Sequence, residues 1–356
     1  MPDKVLGVDY TTRVSAFFAT LGISNLFLMP KAYKSAIGHR ILHGLKFILN
    51  LPHIVRQYKV VVFVCPPYFH LLALLLLKPL KITTISIVVD LYGETAVKEF
   101  WQSPPYKKVL RKLLYPFYEL SERASIKLSD KVFCVSAYSV NKYIGFKKDV
   151  HRVLNGADVA EISEIKPVKF EKKTIFYMGG FLRWRGVDLL VKAYKTVKKK
   201  HDVQLVLMGG SEEELQYYPK LRDLLSKSKD TVLVGYSPHE KAISYLKGAR
   251  IAVMPARKSF MTRVLSSVKV FEYIAAEVPQ VCTDTGEHAE WVKKLGTGIV
   301  VSDTSEEIAK GMLTLLEDKN IYKKIKRNCI KRKLEIDNKV LKKNLIRYFE
   351  HIKQAG

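Results

Sequence analysis

Two stretches set the terms for this chain: "KTIFYMGG", Lys173–Gly180, and "VQLVLMGG", Val203–Gly210. Each is an unbroken apolar run that stops at a glycine pair. A strand reads as continuously apolar only when both its faces are buried, as in a parallel sheet covered by helices. The segments that follow, "GVDLLVKAYKTVKKKH" and "EEELQYYPKLRDLLSKS", space their apolar residues by three and four, the helical period. The alternation continues through strand "TVLVGY", helix "HEKAISYLKGA", strand "RIAVMP", helix "VKVFEYIAAE" and strand "VPQVCTD". Strands alternating with helices build βαβ units.

The first half follows the same grammar. "KVLGVDY", "ISNLFLM", "KVVVFVC", "KITTISIVVD" and "DKVFCVS" read as strands. Between them, "TTRVSAFFATLG", "GHRILHGLKFILNLPHIVRQY", "HLLALLLLKP" and "PPYKKVLRKLLYPFYELSERASIKLS" read as helices, the last kinked near Pro116. A chain of 356 residues exceeds one compact core, so two doubly wound α/β domains are expected. The pattern lapses and charge rises at "EISEIKPVKFEKK", which marks the expected linker.

The net charge of +26 implies a polyanionic partner: nucleic acid, an anionic membrane or phosphorylated small molecules. No recognised nucleic-acid module occurs, and the basic residues do not cluster with the glycine loops, so nucleic acid is not expected. A basic nucleic-acid-binding protein without transferase activity is the alternative of another class. Cys65, Cys134, Cys282 and Cys329 are widely spaced and mostly in apolar runs, which predicts reduced, buried thiols in a cytoplasmic setting. The start "MPDKVLGVDY" lacks the apolar run of a signal peptide. "YFHLLALLLLKPL" is interrupted by His70, Lys78 and Pro79 and falls short of the roughly 20 apolar residues a bilayer needs. There is no G-x-x-x-x-G-K-[ST], no complete G-x-G-x-x-G, no G-x-S-x-G and no metal-ligand cluster, so neither a metal nor a cofactor is expected.

In open α/β sheets ligands bind beyond the carboxyl ends of the strands. After "IFYM" comes "GGFLRWRG", whose glycines admit close backbone approach and whose Arg183 and Arg185 can fork onto phosphate. After "RIAVMP" comes a long polar loop, "ARKSFMTRVLSS", then a helix carrying Lys269 and Glu272, with Ser266 and Ser267 just ahead of it. Such a helix mouth suits an anion, and a carboxylate one turn inside suits two adjacent hydroxyls, as on a ribose.

These residues resemble a known family. "RVLNGADVAE" resembles the "NG(V)D" turn that precedes the C-terminal domain of GT-B glycosyltransferases of the GT4 type, also called group 1. "FYMGGFLRWRGVDLL" resembles their "vGrl…KGvdlL", and "VKVFEYIAAEVPQVCTD" their "(K)xxEymAaGkPVVatd". "EHAEWVKKLGTGIVVS" is similar to the "pEvV…G.Gllv" that follows. The likeness is collinear over residues 151–316 and weaker before them, where "FVCPPYFHLLALLLL" and "IVVDLYGE" fit the acceptor domain.

The resemblance implies a GT-B fold, with two doubly wound Rossmann-like domains facing across a cleft. Residues 1–160 would bind acceptor, 170–335 would bind donor, and a helix over 336–356 would cross back to the first domain. It implies a hexosyltransferase that works without metal, moving a hexose from a UDP- or GDP-linked donor. A nucleotide-sugar-dependent synthase or epimerase on the same fold is the alternative. Glu272 would hold the ribose hydroxyls, Arg185 would take the family's lysine place on the diphosphate, and Arg183 would supply a second cation. Lys269 would sit beside the diphosphate or the donor sugar, with Gly179, Gly180, Gly209, Tyr236 and Ser267 completing the donor site. Val264 stands where the first acid of E-x7-E belongs, Glu277 where the family has glycine, and "TTR" replaces the N-terminal glycine loop.

Members of the GT4 type retain configuration. The "PP" after "VFVC" and the Lys–Glu helix also resemble the inverting β-1,4-mannosyltransferase of lipid-linked oligosaccharide assembly. In that case Asp90 or Glu94 would be the base. "FWQSPPYKKVLRKLLYPFY" interleaves Trp101, Tyr106, Tyr115 and Phe117 with Lys107, Lys108, Arg111 and Lys112, a pattern suited to an anionic membrane surface. The expected acceptor is a lipid-phosphate-linked glycan, met at the cytoplasmic face by a peripheral protein.

Overall fold

A computed structural model of the chain describes residues 5–9, 25–28, 45–64, 71–89, 91, 94, 105–228, 230–343 and 345–348. It divides into two units, residues 1–154 with 342–356, and residues 155–341. Asp90, Trp101, Cys65 and the helix expected at "TTRVSAFFATLG" lie outside the described residues.

The first unit contains β1 (Val5–Asp9), β2 (Asn25–Leu28), α1 (Leu51–Gln57), β3 (Val60–Val64), α2 (Leu71–Leu77), β4 (Thr83–Val88), α3 (Pro105–Leu128), β5 (Lys131–Cys134), α4 (Ala137–Ile144) and β6 (Val150–Arg152). The strands form one parallel sheet in the order β2-β1-β3-β4-β5-β6. β3 shows why its sequence is apolar throughout. Val60, Val62 and Val64 enter one core, while Val61 and Phe63 enter the other with Leu74 and Leu77 of α2. α3 runs through Pro116 as one helix of 24 residues. Leu345 packs into the first of these cores, and the Tyr348 ring lies 5.9 Å from Phe133, so the end of the chain belongs to this unit.

The second unit contains α5 (Val159–Glu164), β7 (Lys173–Met178), α6 (Val187–Lys198), β8 (Val203–Met208), α7 (Glu212–Gln216), α8 (Pro219–Ser226), β9 (Thr231–Gly235), α9 (His239–Gly248), β10 (Ile251–Met254), α10 (Phe260–Val264), α11 (Val268–Ala275), β11 (Gln280–Thr283), α12 (Glu287–Leu295), β12 (Gly298–Val301), α13 (Ser305–Glu317), α14 (Lys319–Arg332) and α15 (Asn338–Leu341). Its sheet is parallel in the order β12-β11-β10-β7-β8-β9, so the winding reverses between β7 and β10. Alternate residues again serve two cores. Ile175, Tyr177, Leu205 and Leu207 face α6 and α13, while Phe176, Met178, Val206 and Met208 face α9 and α11. Cys134, Cys282 and Cys329 are buried.

The units divide at 154/155, ahead of the charged stretch 161–173. Asp158 caps α5 by accepting the Glu161 N–H at 3.0 Å, and Val159 and Ile162 are buried in the second unit's core. "ARKSFMTRVLSS" is not loop throughout. The Ser259 hydroxyl accepts the Thr262 N–H while Thr262 Oγ1 accepts the Ser259 N–H, a capping box that nucleates α10 and buries Phe260 and Val264. The place of the family's first acid is therefore an apolar, buried position.

Glu277 occupies the left-handed region with φ of 61°. The Glu277 N–H reaches the Ile274 carbonyl at 3.0 Å and the Val278 N–H reaches the Tyr273 carbonyl at 3.0 Å, a Schellman motif with Glu277 at its glycine position. Left-handed backbone costs a non-glycine residue about 1–2 kcal/mol, against about 0–1 kcal/mol from the half-exposed ion pair with Lys333. Glu277→Gly is therefore expected to leave the melting temperature unchanged or raise it by up to about 3 °C. A drop of several degrees in a thermal melt would show that the Lys333 tie outweighs the strain.

Candidate active site

The reversal of winding sets the carboxyl ends of β7 and β10 beside each other. Gly186 (φ 66°) has no room for a side chain, since a β-carbon there would collide with the Pro255 carbonyl. The Arg257 N–H donates to the Trp184 carbonyl at 2.8 Å and ties the two strand exits together. The ends of β7, β8 and β9 are joined in turn. The Gly179 N–H donates to the Met208 carbonyl at 2.7 Å, and the Gly209 N–H to the Gly235 carbonyl at 2.8 Å. The loop after β7 is held from both sides, with the Tyr177 hydroxyl on the Gly180 carbonyl at 2.8 Å and the Phe181 N–H on Glu214 Oε2 at 2.8 Å.

Two cations meet over this loop. Arg185 stacks its guanidinium 4.4 Å from the Trp184 ring centroid, and its Nε is buried without a hydrogen-bond partner. Lys269, from the first turn of α11, reaches back until its Nζ fills the space a side chain at Gly179 would need. Nζ stands 6.0 Å from the Tyr177 ring centroid. Burial pushes the Lys269 ammonium well below its ordinary 10.5, and the like charge of Arg185 pushes it the same way, against weaker pull from Glu272 and Glu214. Among the described residues Lys269 makes no ion pair. Positive charge is thereby set, partly dehydrated, against glycine backbone, the chemistry of an anion site.

Lys269 and Glu272 share a helix face, yet they do not pair with each other. Glu272, its side chain 12% exposed, accepts from His239 Nε2 at 2.7 Å. That hydrogen bond raises the His239 pKa above 6.5, with burial opposing and Glu161, 3.9 Å from Nδ1, adding to the rise. Ser267 forms the N-cap of α11 without using its side chain for capping, and Tyr236 is 90% exposed just beyond β9. Arg183 lies exposed on the short 3-10 turn that also carries Arg185. Any side chain at Gly180 would meet the Glu214 carboxylate.

Sequence reading missed His288. It sits in the first turn of α12, buried, with Nδ1 lacking a hydrogen-bond partner and Nε2 3.5 Å from Thr285 Oγ1. Burial first and Lys269 second push its pKa down to about 4, so the ring is neutral at pH 7. The available signal was a histidine at the mouth of the helix after β11. His239 was also missed, because its partner lies 33 residues away.

The other expected residues stand in the first unit. Glu94 is buried, 2.9 Å from Lys142 Nζ, and accepts from the Tyr138 hydroxyl at 3.2 Å. Lys142 also bridges Glu119 and Glu122, tying α4 to α3. Lys107, Lys108 and Arg111 lie in the first two turns of α3. That helix exposes Val109, Leu110, Leu113, Phe117 and Leu120 along one side.

Residues 143–332 match the family described as glycosyl transferases group 1. An uncharacterized glycosyltransferase of Methanocaldococcus jannaschii is 25% identical over 228 residues, covering 60% of this chain and 56% of that protein. The chain spans about half the length of the curated relatives it matches. Among solved structures, sucrose-phosphate synthase from Thermosynechococcus elongatus is similar with a TM-score of 0.75 at 13% identity, over 99% of both chains. HepE of Anabaena, solved in complex with UDP, is similar with a TM-score of 0.67 at 12% identity, over 98% of this chain and 100% of that one. At these identities the likeness is one of fold, and the fold is GT-B.

An unpaired ammonium beside a guanidinium is costly, so Lys269→Met is expected to raise the melting temperature at pH 7 by roughly 1–3 °C. A lysine with a depressed folded pKa costs stability in full below that pKa. The cost fades as pH climbs toward the unfolded value near 10.5, so the variant's advantage shrinks in alkali. A melting temperature lower than wild type at pH 7 would show that Lys269 has a favourable partner.

Proposed function

The chain belongs to the glycosyl transferases group 1 family, and from that premise we propose that it moves a hexose from a UDP- or GDP-linked donor to a lipid-phosphate-linked glycan acceptor at a membrane surface. The placing of Lys269 against Gly179, within electrostatic reach of Arg185 and with Glu272 one turn further along α11, carries the reading. Leaving-group departure puts negative charge on a diphosphate. In this reading Arg185 and Lys269 meet that charge from fixed positions and Arg183 screens it from the exposed side, with no reorganisation needed as it develops. Binding the diphosphate would place negative charge beside the Lys269 ammonium, whose charged form burial and Arg185 disfavour. Glu272 would accept from the ribose hydroxyls, with Ser267, Gly209 and Tyr236 around the nucleotide.

HepE, one of the similar structures, was solved with UDP and with UDP-glucose, which favours a nucleotide-sugar. The site as drawn uses neither metal nor cofactor. Glu94, with its carboxylate engaged by Lys142 and Tyr138, serves packing within the first unit in this reading, not proton abstraction. The exposed apolar side of α3, with Lys107, Lys108, Arg111 and Lys112 near its start, supports a peripheral position on an anionic cytoplasmic leaflet. Among the described residues no helix is long and apolar enough to cross a membrane.

Calorimetric titration with UDP- and GDP-sugars is expected to give saturable binding of one donor, lost in Glu272→Ala and weakened about tenfold or more in Arg185→Ala. No donor binding by wild type would refute the assignment. For the membrane face, Leu113→Glu with Phe117→Glu is expected to abolish co-sedimentation with phosphatidylglycerol vesicles while leaving donor binding intact. Undiminished co-sedimentation would remove α3 from the membrane contact.

A further inference from the structure

We propose that His239 is a positioning residue of the nucleotide site: its Nε2 holds Glu272 Oε1 so that the rest of the carboxylate stands ready for the ribose diol. The proposal rests on the assignment of Glu272 to the ribose. A glutamate at the mouth of a helix has three side-chain torsions to settle. A diol is recognised well only by a carboxylate already in place, because ordering it on binding subtracts from affinity. Glu272 has one hydrogen-bond partner for its carboxylate among the described residues, and that partner is His239 at 2.7 Å. Lys269, the neighbour on the same face, is turned away toward Gly179.

His239 comes from a separate element and is itself held. It opens α9 directly after Pro238, whose carbonyl accepts the Ala242 N–H at 3.1 Å. The charged groups facing its ring are Glu272 of α11 and, on the Nδ1 side, Glu161 of α5 at 3.9 Å. The ring thus lies between two carboxylates from two helices, hydrogen-bonded to one and 3.9 Å from the other. Either the imidazolium or the neutral tautomer protonated at Nε2 can donate to Oε1, so the hold persists across neutral pH. Oε2 and the second lone pair of Oε1 remain for substrate hydroxyls.

The test is calorimetric titration of UDP and GDP into the full chain as wild type, His239→Ala, His239→Gln and Glu272→Ala, with thermal melts of each without nucleotide. His239→Ala is expected to weaken the bound nucleotide about threefold to tenfold, with its melting temperature within about 2 °C of wild type. His239→Gln, whose amide N–H can reach the same oxygen, is expected to restore affinity to within about twofold. Unchanged or tighter binding by His239→Ala would overturn the proposal, the tighter result marking His239 as a competitor for the carboxylate. A matching fall in melting temperature and affinity, not rescued by glutamine, would overturn it in favour of a folding role. If Glu272→Ala loses nucleotide while His239→Ala keeps it, only this inference fails. If wild type binds neither UDP nor GDP, the donor-site reading itself fails.

Discussion

An ammonium that makes no ion pair among the described residues is the constraint around which the second unit's site is arranged. Lys269 is brought to the ends of β7 and β10 by a helix that buries Val270, Phe271, Tyr273, Ile274 and Ala275, and it meets another cation, Arg185. Folding tolerates this because glycine backbone at 179 leaves the space and Tyr177 lines it. The cost has to be carried elsewhere, and the two cores on either side of the β7–β12 sheet carry it. Local destabilisation concentrated where an anion would relieve it is what a preorganised binding site requires.

The parallel sheets were legible because burial on both faces leaves a direct trace in composition. "KTIFYM" and "VQLVLM" read as interior strands, the loop after the first carries Gly179 and Arg185, and helix α11, after β10, carries Lys269. Capping signals were equally plain but easy to pass over. Ser259 followed by Thr262, and Asp158 followed by Glu161, start helices inside stretches whose polarity suggests loop. What stayed hidden depends on distance in sequence. Glu272 with His239 and Glu94 with Lys142 are tertiary pairs, and no local periodicity announces them. Asp90 offers no comparison, since it lies outside the described residues.

Glu277 shows where local propensity yields to a larger framework. The Schellman turn after α11 asks for glycine, and the chain supplies glutamate. Its side chain reaches Lys333 at 2.8 Å, fastening the turn to the segment that follows α14. The departure from the family pattern thus sits in a turn between α11 and β11, behind the helix mouth. It bears on how rigidly α11 is held, and through that on where Lys269 and Glu272 are presented.

The relation between those two residues depends on their being kept apart. At a spacing of three on a helix, a lysine and a glutamate normally find each other, and the pair would neutralise both. Here Lys269 is drawn toward β7 by the space at Gly179, and Glu272 is drawn the other way by His239 of α9. Positive potential therefore stays over the glycine loop, and an acceptor carboxylate stays beside it. A nucleoside diphosphate presents the same polarity in reverse, anionic oxygens at one end and a hydroxylated ring at the other. Had the two side chains closed on each other, the helix mouth would offer that molecule neither end of its complement.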